Sequence, residues 1–195
     1  MRRLFVALDL AIGVVEELLN IQEEFHAYLD ANGDLPQTRM RWTHPENIHL
    51  TLKFLGDTDD ALVSRLSDTI SGLVKPLFPF EVETKGLGFF PAPELPRIFW
   101  CGFDPESAEV LALLQQAIER DLGELGFAPN ERAFHPHITL GRVKSRSNPN
   151  FAKFAQKYEN KSFGKSYVKD FVLYESILTP KGPVYQVVER FTLGA

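Results

Sequence analysis

The 195-residue sequence predicts an α+β protein built from a duplicated unit, with the antiparallel sheets of two lobes lining a central cleft and helices on the outside. Three observations predict this. His-x-Thr-Leu occurs twice, at His49/Thr51 in "NIHLTLKFLG" and at His137/Thr139 in "PHITLGRV". "RLFVALDL" (3–10) is echoed by "RIFWCGFD" (97–104) through a shared Arg-aliphatic-Phe start. The order strand, helix, His-x-Thr strand, helix, strand then runs through the chain twice, as approximate repeats over 1–90 and 97–195 within one bilobal domain. Arg3 precedes His49 by 46 residues and Arg97 precedes His137 by 40, and two copies are too few for a solenoid.

Each element has its own signal. Residues 3–10 are short, apolar and partly β-branched, which suits a strand. The two leading arginines and apolar run resemble a signal peptide, but Asp9 interrupts the run and no small-x-small cleavage site precedes Glu16 and Glu17. Residues 12–30 carry Val15, Leu18, Leu19, Phe25 and Leu29 at helical spacing and stop at "ANGD". "NIHLTLKFLG" (47–56) reads as a strand closed by Gly56, and 57–75 as a helix with Asp59 at its N-cap. "FPFEVETKGLGFF" gives a further strand. "FPAPELP" (90–96) reads as an irregular linker stiffened by three prolines. The second copy follows with a strand at 97–104, a helix over 105–125 opened by Pro105, and the strand "HITLGRV". A short helix in "NPNFAKFAQKYEN" and two long strands, "SYVKDFVLYESIL" and "PVYQVVERFTL", around the turn "TPKGP" complete it.

Composition bounds the function. Hydrophobic residues make up 44% and charged residues 24%, as in an ordinary soluble globular protein, and no apolar run is long enough for a membrane-spanning helix. Cys101 is the sole cysteine, so no intramolecular disulfide forms and a reducing cytoplasm is expected. Net charge is −5, which argues against a protein that coats nucleic acid. Residues 128–169 are an exception: nine Lys or Arg, including Arg146, face only Glu131 and Glu159, a local +7 that leaves −12 elsewhere. Most of these lysines read as a solvated face, whereas Arg132 and Arg142 flank the second His-x-Thr. A monomer is expected.

In a strand, residues i and i+2 point to one face about 6.6 Å apart. His49 and Thr51 therefore project together, as do His137 and Thr139. If the lobes are related by a twofold axis, two imidazoles and two hydroxyls converge on one cleft. Imidazoles titrate near neutrality, so one can serve as general base and the other as general acid. Threonine hydroxyls and an arginine fork suit phosphate oxygens. Arg142 points away from Thr139 in an ideal strand and joins it only if the strand ends or bulges at Gly141. Two histidines, phosphate ligands and no evident metal cluster suit the opening of a 2′,3′-cyclic phosphate. Phe134 and Tyr174 are candidates for stacking on a base.

The paired His-x-Thr motifs, with "RWTHPENIHLTLKFLG", "LGFFPAPELPRIFWCGF", "FHPHITLGR" and "VKDFVLYESILTPKGPVY" in order along nearly the whole chain, resemble the 2H phosphoesterase superfamily, in particular its RNA 2′,3′-cyclic phosphodiesterase branch, formerly described as 2′-5′ RNA ligases. The resemblance implies a bilobal fold and hydrolysis of RNA ends or small cyclic nucleotides to 2′-phosphates, with no cofactor. It implies that His49 is the proton donor and His137 the proton acceptor, with Thr51 and Thr139 holding substrate. It also rationalises 2′-5′ ligation, with an RNA 5′-OH replacing water. Gly141 departs from the alanine common in the family before the arginine.

Two other readings are weighed. His44, His49, His135 and His137 could together hold zinc or manganese in a metal-dependent phosphoesterase. Alternatively, the chain is a non-catalytic module that binds RNA ends or nucleotides. His26, in the first helix, reads as a surface residue.

Overall fold

Alternation within "RRLFVAL" sends Leu4, Val6 and Leu8 to one side of β1 (Arg2–Leu8) and Phe5 and Ala7 to the other, and all five are buried. A computed structural model describes every residue except 35–37, 146–149, 181 and 195, and so does not describe Arg146. After β1 come α1 (Ile12–Ala31), β2 (Thr38–Trp42), a 3-10 turn (Pro45–Asn47), β3 (Leu50–Thr58), α2 (Asp60–Val74) and β4 (Phe80–Ala92). The remainder is β5 (Leu95–Phe103), α3 (Pro105–Gly123), β6 (Ile138–Ser145), α4 (Ala152–Lys157), β7 (Ser162–Val168), β8 (Asp170–Thr179) and β9 (Gly182–Thr192).

All pairings described are antiparallel, and the strands run β7-β4-β5-β6-β3-β1-β8-β9, with β2 added to the far part of β6. The two motif strands β3 and β6 are therefore central neighbours, flanked symmetrically by β1 and β5, the two segments that echo each other in sequence. Helices cover one side and are exchanged between the halves. α3 packs on β3, and α2 on α3 and β9, over a core of Leu4, Leu52, Leu66, Ile118 and Phe171. α1 packs on β6 and β7, and α4 on β4, over a second core centred on Phe25, whose ring meets Phe89, Phe99, Phe151 and Phe154. The α+β class with two antiparallel halves and outer helices is the one the sequence predicts.

Local signals place several ends well. The Asp59 carboxylate accepts from the Ala61 N–H at 3.0 Å, a cap worth about 0.5–2 kcal/mol. Asp104 does the same for Ser107 ahead of Pro105. His26 is exposed. Among the described residues no helix is long and apolar enough to cross a membrane.

Three expectations are corrected. "FPAPELP" is the tip of the β4–β5 hairpin, not an irregular linker: Pro91 lies opposite Pro96 at a register irregularity, where their missing N–H groups interrupt little of the ladder. "SYVKDFVLYESIL" is two strands separated at Lys169. β7 pairs with β4 at one end of the sheet and β8 with β1 near the other, a change of partner that apolar periodicity does not encode. β3 does not close at Gly56 but runs through it to Thr58, because glycine takes the positive φ of 70° at that kink. β2, short and alternating arginine with apolar residues, goes unread in the sequence.

Candidate active site

The two halves join where Leu50 of β3 lies opposite Ile138 of β6. Both side chains are buried in the cores. Their neighbours His49, Thr51, His137 and Thr139 turn to the opposite face and are half-buried. Carried one residue to either side, this single antiparallel pair directs His49 toward Thr139 and Thr51 toward His137. The polar pairs thus form a four-cornered set on one face of the sheet.

A bulge follows each motif. Ala7 pairs with Thr51 and Val6 with Lys53, so Leu52 is the extra residue in β3. Trp100 pairs with Thr139 and Phe99 with Gly141, so Leu140 is the extra residue in β6. An added residue shifts the alternation by one. Arg142, opposite Ile98, consequently returns to the face of Thr139, which meets the condition set by the sequence. A Cβ on Gly141 would stand 2.9 Å from the Met40 methyl, the end of a flexible side chain, and 3.3 Å from the Arg41 carbonyl, so that position turns inward against β2.

Buried polar side chains pin both bulges. Gln22 on α1 donates through Nε2 to the carbonyls of Leu140 and Thr43, each at 2.9 Å. Lys53 turns fully inward, and its ammonium donates to Glu119 at 2.5 Å and to the Ala128 carbonyl at 2.9 Å. Gln115, the eleventh residue of α3 as Gln22 is of α1, donates to the other Glu119 oxygen at 2.7 Å.

The two imidazoles have matched backbone contacts and contrasting surroundings. His49 stacks on Phe5 at 5.1 Å, meets the edge of Tyr185 at 5.3 Å and lies 6.1 Å from Tyr174. Its Nε2 is 3.0 Å from the Thr51 hydroxyl. Burial pushes its pKa down to about 4, against the opposing influence of the Asp9 carboxylate and of a hydrogen bond to the Asn47 carbonyl. His137 Nδ1 donates to the His135 carbonyl at 2.7 Å, which leaves Nε2 with the lone pair when the ring is neutral. Its ring meets Phe90 edge-on at 5.0 Å. Burial lowers its pKa, the His135 hydrogen bond opposes this, and the charges of His135 and Arg142 lower it further. A carboxylate thus stands near one histidine and a guanidinium near the other.

The remaining sequence candidates fall in different places. Tyr174 packs on Phe5 at 5.3 Å and donates its hydroxyl to Asp9 at 2.7 Å, while the other Asp9 oxygen holds Arg190 at 2.8 Å. Burial, then that hydrogen bond, raises its pKa. Phe134 packs on the first core and, with Arg132, Gln115 and Asn130, lines a separate hollow of about 360 Å³. His44 is exposed, with Nδ1 3.8 Å from Glu46, and His135 is exposed beside Phe90. Among the described residues no three His, Cys, Asp or Glu side chains gather as a metal-ligand set. Sequence reasoning missed Phe5, Tyr185, Asp9, Gln22 and Lys53. Position would have revealed Phe5, which shares a strand face with Arg3 and Ala7, opposite the core residues Leu4 and Val6.

Two antiparallel halves meeting at paired His-x-Thr strands, with polar side chains suited to an anion, define a phosphoesterase class. A family model described as LigT like Phosphoesterase matches residues 12–100 and 102–185. The chain belongs to this family of phosphoesterases, the one the sequence resembles. It is 36% identical to an Archaeoglobus fulgidus RNA 2′,3′-cyclic phosphodiesterase over 97% of this chain and 99% of that one. An Aquifex aeolicus RNA 2′,3′-cyclic phosphodiesterase is 37% identical, covering 79% of this chain and 82% of the other. A Thermus thermophilus crystal structure superposes with a TM-score of 0.80 at 28% identity over 98% of each chain. E. coli LigT in complex with 3′-AMP shares the fold, with a TM-score of 0.75 at 24% identity over 100% of this chain and 99% of that one.

Proposed function

We propose that the protein hydrolyses the 2′,3′-cyclic phosphate ends of RNA to 2′-phosphomonoesters, with His49 as general acid and His137 as general base. The observation that carries this is the register at Leu50 and Ile138, which gathers two imidazoles and two threonine hydroxyls on one face. His137 Nε2 takes a proton from water, the water oxygen bonds to phosphorus, and the bond from phosphorus to the 3′ oxygen breaks. His49 gives its proton to that departing oxygen. Thr51, Thr139 and Arg142 hold the non-bridging oxygens. Five-membered ring strain lowers the demand on the protein, and the acid-base pair contributes about 10²–10⁴-fold.

The surroundings support the division of roles. Asp9 favours a charged His49, while Arg142 favours a neutral His137. Burial keeps His49 neutral in the empty cleft, so the charge that protonates it comes from the substrate: an anionic phosphate within about 4–6 Å favours imidazolium. Related proteins bearing the name RNA 2′,3′-cyclic phosphodiesterase at 36–37% identity point to the same substrate class. An RNA 5′-OH in place of water, with the same leaving oxygen, gives a 2′-5′ linkage. Among the described residues His44 and His135 do not gather with His49 and His137 into a metal-ligand set, which favours acid-base chemistry over a four-histidine metal site.

The test is product analysis on a short RNA with a 2′,3′-cyclic end, before and after exhaustive chelation. A 2′-phosphate formed at an unchanged rate is expected. A 3′-phosphate, loss of turnover on chelation, or binding without turnover would overturn the proposal.

A further inference from the structure

Beyond the histidines, β6 continues as a ribbon with β2. Its register sets Arg41 opposite Arg142 and Arg39 opposite Lys144. Met40, Trp42 and Val143 alternate inward onto the second core, so the four cations share the outer face, where all are exposed. Like charges directly opposite in an antiparallel pair destabilise it. Here two such pairs are consecutive, and among the described residues none of the four forms an ion pair with a carboxylate. The whole chain is net acidic, so this block is not part of a general basic coat.

Because of the bulge at Leu140, the cationic face is continuous with that of Thr139 and His137. Arg142 is close enough to influence both His137 and Tyr185, whereas Arg41 influences Tyr185. The Arg41 guanidinium lies 3.0 Å from where a Cβ on Gly182 would stand, so the start of β9 leaves room for it. The cations therefore extend away from the reacting end in two steps.

We infer that the β2–β6 ribbon binds the phosphodiester backbone of single-stranded RNA upstream of the cyclic end, with Arg41 as the inner contact next to Arg142 at the cyclic phosphate and Arg39 and Lys144 as the outer pair. Same-face residues on a strand lie about 6.6 Å apart, a spacing of the same order as that of phosphates along an extended strand. Arginine forks match phosphate oxygens. The outward residues are all cationic, so the ribbon reads backbone rather than base. The bound anion relieves the cross-strand repulsion. This site rests on the cyclic-phosphate reading and adds a preference for chains over mononucleotides.

The test compares kcat/KM on 2′,3′-cyclic AMP and on a six-nucleotide RNA with a cyclic end, for the wild-type protein and the Arg39→Ala/Lys144→Ala variant, at several salt concentrations. The wild-type protein should prefer the oligonucleotide. The variant should lower the oligonucleotide-to-mononucleotide ratio about tenfold, and its salt slope should fall by about 1.4, the value for two single-strand phosphate contacts. Arg39→Glu/Lys144→Glu should lower the ratio further. Thermal stability should not fall, since the alanine variant removes a repulsion. An unchanged ratio and slope, or an equal loss on both substrates, overturns the ribbon site while leaving the cyclic-phosphate reading intact. Failure of the wild-type protein to open either substrate overturns that reading.

Discussion

Leu50 and Ile138 face each other where β3 meets β6, both closed off from solvent, and this one contact sets the geometry of the candidate site. Because both side chains point into the cores, the residues on either side of each must point away. A single apolar pair therefore determines that His49 neighbours Thr139 and Thr51 neighbours His137.

Replacing either histidine with alanine should lower turnover of a cyclic-phosphate oligonucleotide by roughly 10²–10⁴ while leaving the unfolding midpoint close to wild type. The rings are half-buried at a sheet surface rather than in a core, so their loss leaves little cavity. The check is single-turnover kinetics alongside denaturant unfolding. Near-normal rates in both variants would remove the acid-base assignment.

The pH dependence follows from the lowered pKa values. In the free protein the productive form has His49 protonated and His137 neutral, and with His49 near 4 that form becomes scarcer as pH rises through neutrality. The alkaline limb of kcat/KM, which reports the free enzyme, should lie below the ordinary histidine value of about 6.5. Bound phosphate raises the His49 value, so the alkaline limb of kcat should lie at higher pH. Coincident limbs in the two profiles would contradict substrate-assisted protonation. Stability carries the same sign: the unfolded chain binds protons that the folded His49 refuses, so stability is full above about 6.5 and falls as pH drops toward about 4.

The motif residues were legible because His-x-Thr alternation carries across the start of each strand, with His49 and His137 one residue ahead of β3 and β6, and the exchange of sheet partners was not. Arg142 shows the boundary: its spacing from Thr139 puts it on the wrong face, and only the extra Leu140, visible in the register with β5, restores it. Lys53 was hidden for the same reason, since the extra Leu52 turns inward a residue that alternation would put outside. Tyr185 and Asp9 approach His49 from β9 and from just beyond β1, contacts that only the folded chain makes. β2 was missed because its apolar residues alternate with arginines whose purpose appears only beside Arg142 and Lys144.

Lys53→Met should destabilise the fold by about 3–5 kcal/mol, because Glu119, itself only 19% exposed, would keep its charge without a cation. Lys53→Met/Glu119→Leu should recover much of that loss, since removing both members of a buried pair costs far less than removing one. The Ala128 carbonyl loses its donor in both variants and bounds the recovery. Urea unfolding of the two single variants and the double variant measures the coupling. A Lys53→Met protein as stable as wild type would show that the pair contributes nothing.

Gln22→Leu tests whether a helix of one half holds the bulge of the other. The amide nitrogen supplies donors to Thr43 and Leu140, and Leu140 retains a second donor from the Thr43 N–H at 3.0 Å. Leucine fills a similar volume but leaves the Thr43 carbonyl without the amide donor and the Leu140 carbonyl with one donor fewer, at a cost of about 1–3 kcal/mol. Gln22→Glu should be at least as damaging near neutral pH, because a carboxylate would face two carbonyls with no proton to give. If the bulge relaxes, Arg142 turns from the face of Thr139, and KM for the cyclic-end oligonucleotide should rise more than kcat falls. Stability and KM both at wild-type values in Gln22→Leu would mean that Gly141 and the β2 pairing keep Arg142 in place without help from α1.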